Sequence, residues 1–275
     1  MPSKPVSSSF LPLVRISRRG AHRLQEGHVW VYRSDLISPN AVSAGAMVGV
    51  TDERGKLLGT ALYSGSSQIA IRMISRHLID NLPGLLRERI QAAISYRERI
   101  VRDTDAYRLV FSEADFLPGL IVDRYNDLLS VQVLTQAMDA EPVRHVIVSE
   151  LRERLKPESI AERVDPRIRD LEQLPARTSG LIQGEKSSTI ISMNGVRFHY
   201  EALEGQKTGA FLDQRERLTG RRIDYPCTHV RDVRGFPVAL FAGHASQVHC
   251  PIGQFRSRLR GRFVDARATL RARSS

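Results

Sequence analysis

The sequence is poor in cysteine, in tryptophan and in long apolar runs. Two cysteines, Cys227 and Cys250, cannot build a disulfide framework. No apolar run approaches the roughly 18 residues of a membrane span, and Phe10–Val14, after a polar start, is too short for a signal-peptide core. A secreted disulfide scaffold and a helical membrane protein are therefore excluded, and the chain reads as cytoplasmic, with no membrane partner. Lysine and glutamate vanish from residues 221–275, which hold eleven arginines and three aspartates and carry +8 of the net charge of +11. The first 220 residues, with 30 basic and 27 acidic side chains, are only mildly basic. Basicity alone is thus a weak pointer to an anionic partner.

What is present fits a folded α/β protein of more than one domain. At about 150 residues per domain, 275 residues suggest two units, and 41% hydrophobic with 26% charged residues argues against disorder. Residues 11 to 78 read as short strands: Leu13–Ile16, His28–Tyr32, Ala46–Thr51, Leu57–Tyr63 and Gln68–Ser75, the last with Ile69, Ile71 and Met73 on one face. Their spacing suggests a small β-barrel or sandwich. Arg15, Arg18, Arg19, His22 and Arg23 cluster beside the strand holding Trp30 and Tyr32. Such residues can clasp phosphates and stack on bases, or form a solvated turn beside a core tryptophan.

Residues 81–101 form an amphipathic helix through Leu82, Leu85, Leu86, Ile90 and Ile94, with Asp80 or Asn81 as cap and Pro83 in its first turn. Strands follow at Tyr107–Phe111, Leu120–Val122 and Leu128–Leu134, divided by Pro118-Gly119 and Asn126-Asp127 turns. Val143, Ile147, Leu151 and Leu155 mark a second helix, and polar residues 163–187 read as loop. Asn194-Gly195 between Ser188–Met193 and Val196–Tyr200 is a hairpin signal.

Two segments could carry chemistry. Glu113, Asp115 and Asp123 lie in a run from Tyr107 to Tyr125; as paired carboxylates they suit acid–base work, but turns and ion pairs explain them better. The run Gly205-Gln-Lys-Thr-Gly-Ala-Phe-Leu-Asp-Gln-Arg215 lacks the P-loop glycine pattern, so a nucleotide triphosphatase is unsupported. Cys227, His229, His244, His249 and Cys250 fit no standard zinc spacing, and no metal site is expected.

These segments carry a resemblance. Ser67-Gln-Ile69, the Glu-x-Asp-x-Leu-Pro-Gly-Leu-Ile-Val-Asp-Arg core within Arg108–Tyr125, and the Gly205–Arg215 run resemble the RlmI-type methyltransferases, which use S-adenosylmethionine to methylate a cytosine C5 of large-subunit ribosomal RNA. The resemblance runs in order from about residue 11 to 220. It implies a PUA-like RNA-binding β-barrel over 1–78 and a central α+β domain over 79–187. A hairpin then opens a Rossmann-like methyltransferase domain over 188–220, followed by a divergent, incomplete remnant over 221–275. It further implies ribosomal RNA as partner, bound through Arg15, Arg18, Arg19, His22, Arg23 and Trp30. Lys207, Thr208, Phe211, Asp213, Gln214 and Arg215 would line the S-adenosylmethionine site or its entrance. A homodimer is left open.

After residue 220 the family's Gly-Gly turn and acidic strand end are replaced by Asp224–Phe241 and the Arg-rich stretch from His249. Ala242–Val248 again looks like the family. This alternation is what reading-frame changes produce. A frameshifted, prematurely ended product is expected, with no catalytic residue in the chain because the family's cysteine would lie past Ser275. The competing expectation is a non-catalytic RNA-binding fragment.

Overall fold

The computed structural model describes residues 11–38 and 42–204, together with Leu212. The first part is a six-stranded sheet built from β1 (Leu13–Ile16), β2 (Trp30–Tyr32), β3 (Leu36–Ser38), β4 (Met47–Thr51), β5 (Leu57–Tyr63) and β6 (Ile69–Ser75), with α1 (Arg18–Gln25) between the first two strands. The strand order is β2-β6-β5-β4-β1-β3; β1 and β4 run parallel, and the other neighbours are antiparallel. Val14, Ile16, Val31, Val48, Val50, Ala61 and Ile71 fill its core. The region beside β1 is a helix rather than a solvated turn. Ser17 caps it, its side chain accepting from the Gly20 N–H at 3.1 Å, which satisfies one of the orphan donors of a helix start.

The second sheet has the order β11-β10-β9-β8-β7, made of β7 (Ala106–Phe111), β8 (Leu120–Tyr125), β9 (Leu128–Val133), β10 (Ser159–Glu162) and β11 (Gly180–Gln183). Only the β9–β10 pair is parallel, and that pair is bridged by α3 (Gln136–Asp139) and α4 (Glu141–Leu155), as a parallel crossover requires. α2 (Leu82–Ile100) packs beside α4 through Leu86, Ile90, Ala93 and Ile94. Its cap is Asn81, which accepts from the Gly84 N–H at 2.9 Å. Gly119 takes a φ of +83° in the turn before β8, and a Cβ there would lie 2.4 Å from the Thr135 methyl, so the turn needs glycine both for its dihedral and for space.

Residues 163–187 are not a uniform loop. Asp165 caps α5 (Pro166–Glu172), accepting from the Arg167 N–H at 2.9 Å, and β11 then pairs with β10. Of the polar residues that suggested loop, Arg163, Arg169 and Glu172 are buried and hydrogen-bonded, and Arg169 belongs to a charge network. Arg144 on α4 grips Glu162 of β10 at 2.8 and 2.6 Å and Asp139 at 3.0 Å, and Arg169 of α5 reaches Asp139 at 3.0 Å. The hydrogen bonds that Arg144 donates to Glu162, aided by charge attraction, outweigh burial and raise the Arg144 pKa.

The two sheets share one core. Leu62 and Ile74 of the first join the cluster built by α2, α4 and β7–β10. The face of β6 opposite Ile71 and Met73 is therefore covered rather than merely polar: Ala70, Arg72 and Ile74 are all buried. Glu172 at the end of α5 accepts from Ser64 Oγ and from Arg72 Nη2, each at 2.8 Å. Gln136 completes the seam, accepting from the Gly65 N–H at 2.7 Å and donating to the Glu172 carbonyl at 2.7 Å.

A two-stranded hairpin, β12 (Ser188–Met193) and β13 (Val196–Glu201), lies on a third cluster with Ala106, Tyr125 and Leu128. Asn194 and Gly195 take φ of 51° and 79°, the two positive values of a type I′ turn. Tyr125 and Tyr200 stack with centroids 3.6 Å apart at 14°. Burial pushes the Tyr200 hydroxyl pKa well up.

Candidate nucleic-acid interface

The basic residues of β1 and α1 divide into two groups. Asp35, 1% exposed, accepts from Ser17 Oγ at 3.1 Å and from Arg19 Nε at 3.0 Å, and also pairs with Arg23. Burial raises the Asp35 pKa, but hydrogen bonds from Arg19, Arg23 and Ser17 outweigh it and hold the carboxyl below its ordinary value. Arg23 also lies over the Tyr32 ring, 5.2 Å from its centroid. Arg19 and Arg23 thus knit α1 to the turn before β3. Arg15, Arg18 and His22 are exposed, and Arg18 is tied down only by its backbone N–H, which donates to Glu53 at 2.9 Å. These three can reach a phosphate without giving up a bond to Asp35, whereas Arg19, though its side chain is 68% exposed, is held by that buried carboxylate.

Trp30 is neither a core residue nor a bare stacking platform. It is 37% exposed on the edge strand β2, and its indole Nε1 donates to Glu113 Oε1 at 3.0 Å. Glu113 belongs to a 3-10 turn, Ser112–Asp115, in the second sheet's first connection. The three carboxylates of that motif are structural. Asp115 takes both guanidinium nitrogens of Arg97, at 2.5 and 2.7 Å, and the Phe111 N–H at 2.6 Å. Asp123, fully buried, is held by Arg108 at 2.8 and 3.1 Å. None of them is poised for proton transfer.

Between α1, β6 and the 112–115 turn lies a cleft of about 490 Å³, lined by Leu24, Val29, Leu58, Met73 and Ile74 below and by His28, Arg76, Arg89 and Phe116 at the rim. Arg89 crosses it, donating to the carbonyls of Ile74 and Phe116, and burial lowers the pKa of its guanidinium. Sequence reasoning did not single out His28, Arg76, Arg89 or Phe116, since 88 positions separate Phe116 from His28. The one local signal is an aromatic residue placed in a turn, just before Leu-Pro-Gly.

The predicted cofactor residues Lys207, Thr208, Phe211, Asp213, Gln214 and Arg215 lie outside the described residues, as do Cys227 and Cys250. At the end of the described stretch, Arg163 donates to the carbonyls of Ala202 and Glu204 at 3.1 and 3.4 Å. Among the described residues, neither passage from a strand of the second sheet into a helix, β9 to α3 or β10 to α5, contains glycine. They therefore do not fit S-adenosylmethionine, whose usual cradle is a glycine-rich turn at a helix start. Among the described residues there is also no group of three or more His, Cys, Asp or Glu that could hold a metal ion, and no helix long and apolar enough to cross a membrane.

Comparison with known proteins agrees with this architecture. A family profile described as a PUA-like domain matches residues 14–76, the span of the first sheet. The ribosomal RNA large subunit methyltransferase I of Tolumonas auensis is 36% identical over 196 residues, covering 69% of this chain and 49% of that protein. The protein of the same name from Photobacterium profundum is 34% identical over 240 residues, covering 82% and 59%. A solved methyltransferase complexed with SAH shares the fold with a TM-score of 0.64 at 20% identity, over 76% of this chain and 52% of that one. The chain spans about half the length of the curated relatives it matches. By that shared sequence it belongs to the RlmI-type family of ribosomal RNA large subunit methyltransferases, with the six-stranded sheet as its PUA-like domain.

Proposed function

We propose that the chain takes part in S-adenosylmethionine-dependent methylation of large-subunit ribosomal RNA at a cytosine C5, and that residues 11–204 hold the RNA. The observation that carries this is the 34% identity over 240 residues to a named ribosomal RNA large subunit methyltransferase, joined to a PUA-like sheet with exposed Arg15, Arg18 and His22 on one side. Such side chains position phosphates without reading sequence. On the resemblance of Gly205–Arg215 to the family, the Lys207–Arg215 run is assigned to the cofactor and target-base entrance. Domains of 1–78, 79–187, 188–220 and 221–275 and a cytoplasmic location, where ribosomal RNA is met, complete this reading. A homodimer belongs to the same reading, and light scattering checks it.

A second reading is favoured by residues 221–275, whose Arg-rich composition departs from the family pattern: the chain binds RNA without transferring a methyl group. One experiment separates the two. The full chain is incubated with a large-subunit ribosomal RNA transcript and methyl-labelled S-adenosylmethionine, and retention and label transfer are both read. Retention with transfer supports the enzyme, and retention alone supports the second reading. Absence of retention overturns both.

A further inference from the structure

The cleft between α1, β6 and the 112–115 turn has features of a ligand site rather than of a packing defect. Its volume of about 490 Å³ falls in the roughly 300–1,000 Å³ range of small-ligand sites. Its lining combines Leu24, Val29, Leu58, Met73 and Ile74 with the exposed His28 and Arg76 and the half-buried Arg89, and no carboxylate is among its lining residues. Phe116 belongs to the same lining and is 60% exposed. The residue adopts a left-handed backbone, with φ 57° and ψ 27°, which costs a bulky side chain about 1 kcal/mol or more. Ser112, four positions earlier, is also left-handed, with φ 47°. The turn is locked in this state by Phe116 N–H to the Glu113 carbonyl at 3.1 Å, by Leu117 N–H to the Ser112 carbonyl at 2.9 Å and by Arg89 on the Phe116 carbonyl. Two strained residues, held by several hydrogen bonds, keep an aromatic ring at the mouth of an apolar, cationic cleft. Arg89 lies over the ring at 5.6 Å from its centroid.

We propose that this cleft receives one unstacked base of single-stranded RNA, stacked on Phe116, with Arg76 and His28 on the phosphate side. The proposal rests on the RNA-binding reading above and gives it a site that the Arg15–Arg23 cluster does not include. Anion complementarity comes from the rim, and the base-sized apolar floor explains what a phosphate alone would not use. Duplex RNA keeps its bases stacked and offers this ring nothing; loops and single strands do.

The test uses the full chain and a fluorescein-labelled single-stranded RNA oligonucleotide of mixed sequence, read by anisotropy. The same oligonucleotide carrying several abasic positions serves as a second probe. Phe116→Ala is expected to weaken binding to the intact strand at least about fivefold, with the salt slope unchanged, and Phe116→Trp to restore it. Arg76→Ala is expected to reduce the salt slope by close to 0.7. Wild type should prefer the intact over the abasic strand, and Phe116→Ala should lose that preference. Phe116→Leu, which keeps bulk without a π face, guards against loss by misfolding and should behave like the alanine variant. Equal affinity of wild type and Phe116→Leu for the intact strand, or wild-type indifference to abasic positions, overturns the site while leaving RNA binding intact. Absence of any wild-type binding overturns the RNA-binding reading itself.

Discussion

The indole of Trp30 and the carboxylate of Glu113, 83 positions apart, meet at 3.0 Å across the junction of two sheets. That hydrogen bond closes the outer edge of the seam whose inner part is made by Glu172, Arg72 and Gln136. Replacing Trp30 by Phe keeps the ring and removes the donor. A loss of about 1 kcal/mol in urea-unfolding stability is expected, the net worth of one such bond.

Glu172 is the heavier contact. Its carboxylate is the nearer of two partners of Arg72, whose side chain is 11% exposed and whose other carboxylate, Glu113, stands at 3.8 Å, so removing Glu172 leaves a buried charge poorly compensated. Glu172→Ala should lower stability by about 3–5 kcal/mol, whereas the double variant with Arg72→Met should recover much of it. Chemical denaturation of the two variants checks this; equal losses would mean the pair is not what holds the sheets together.

Asp35 makes stability depend on pH. Its folded pKa is depressed, so its contribution is fully present above the unfolded carboxylate value of about 3.9 and is lost as pH falls through the lower folded value. At neutral pH, Asp35→Asn should cost about 2 kcal/mol. The Tm difference between wild type and variant should narrow as pH drops from about 4 downward. A difference that stays constant over that range would remove the charge from the explanation.

The arginines of β1 and α1 should separate by assay. Arg15→Ala with Arg18→Ala should reduce the salt slope for single-stranded RNA by about 1.4, two phosphate contacts' worth, with Tm unchanged. Arg19→Ala with Arg23→Ala should lower Tm, since both hold Asp35. The reverse pattern would assign phosphate contact to the helix face and not to its flank.

Phe116→Gly tests the strain at the cleft. Glycine tolerates the left-handed backbone, so stability should hold or rise by up to about 1 kcal/mol, while affinity for single-stranded RNA falls. A clear loss of stability would mean that the ring is there to pack.

Elements with local signals were legible in the sequence. Leu57–Tyr63 is a strand at the bounds read from its apolar run, Asn81 caps its helix, and Asn194-Gly195 turns its hairpin. The elements within 163–187 were not legible, because two of the charged residues that make the stretch look like loop are buried against distant partners, Arg169 on Asp139 and Glu172 on Arg72. Nor was the division of the arginine cluster, since Asp35 lies beyond a strand that the sequence pattern does not connect to it. The cleft joins residues from 24 to 116, a distance over which periodicity carries no information.

The shared core of the two sheets bears on dissection of the molecule. Leu62 and Ile74 belong to the cluster of the second sheet, and Ser64 and Arg72 find their acceptor on α5. The PUA-like part excised on its own would bare two aliphatic side chains and a stranded guanidinium on one flank. Such a fragment is a poor surrogate for its own behaviour in the parent: it would self-associate through that flank, and its RNA affinity would be read against the wrong surface.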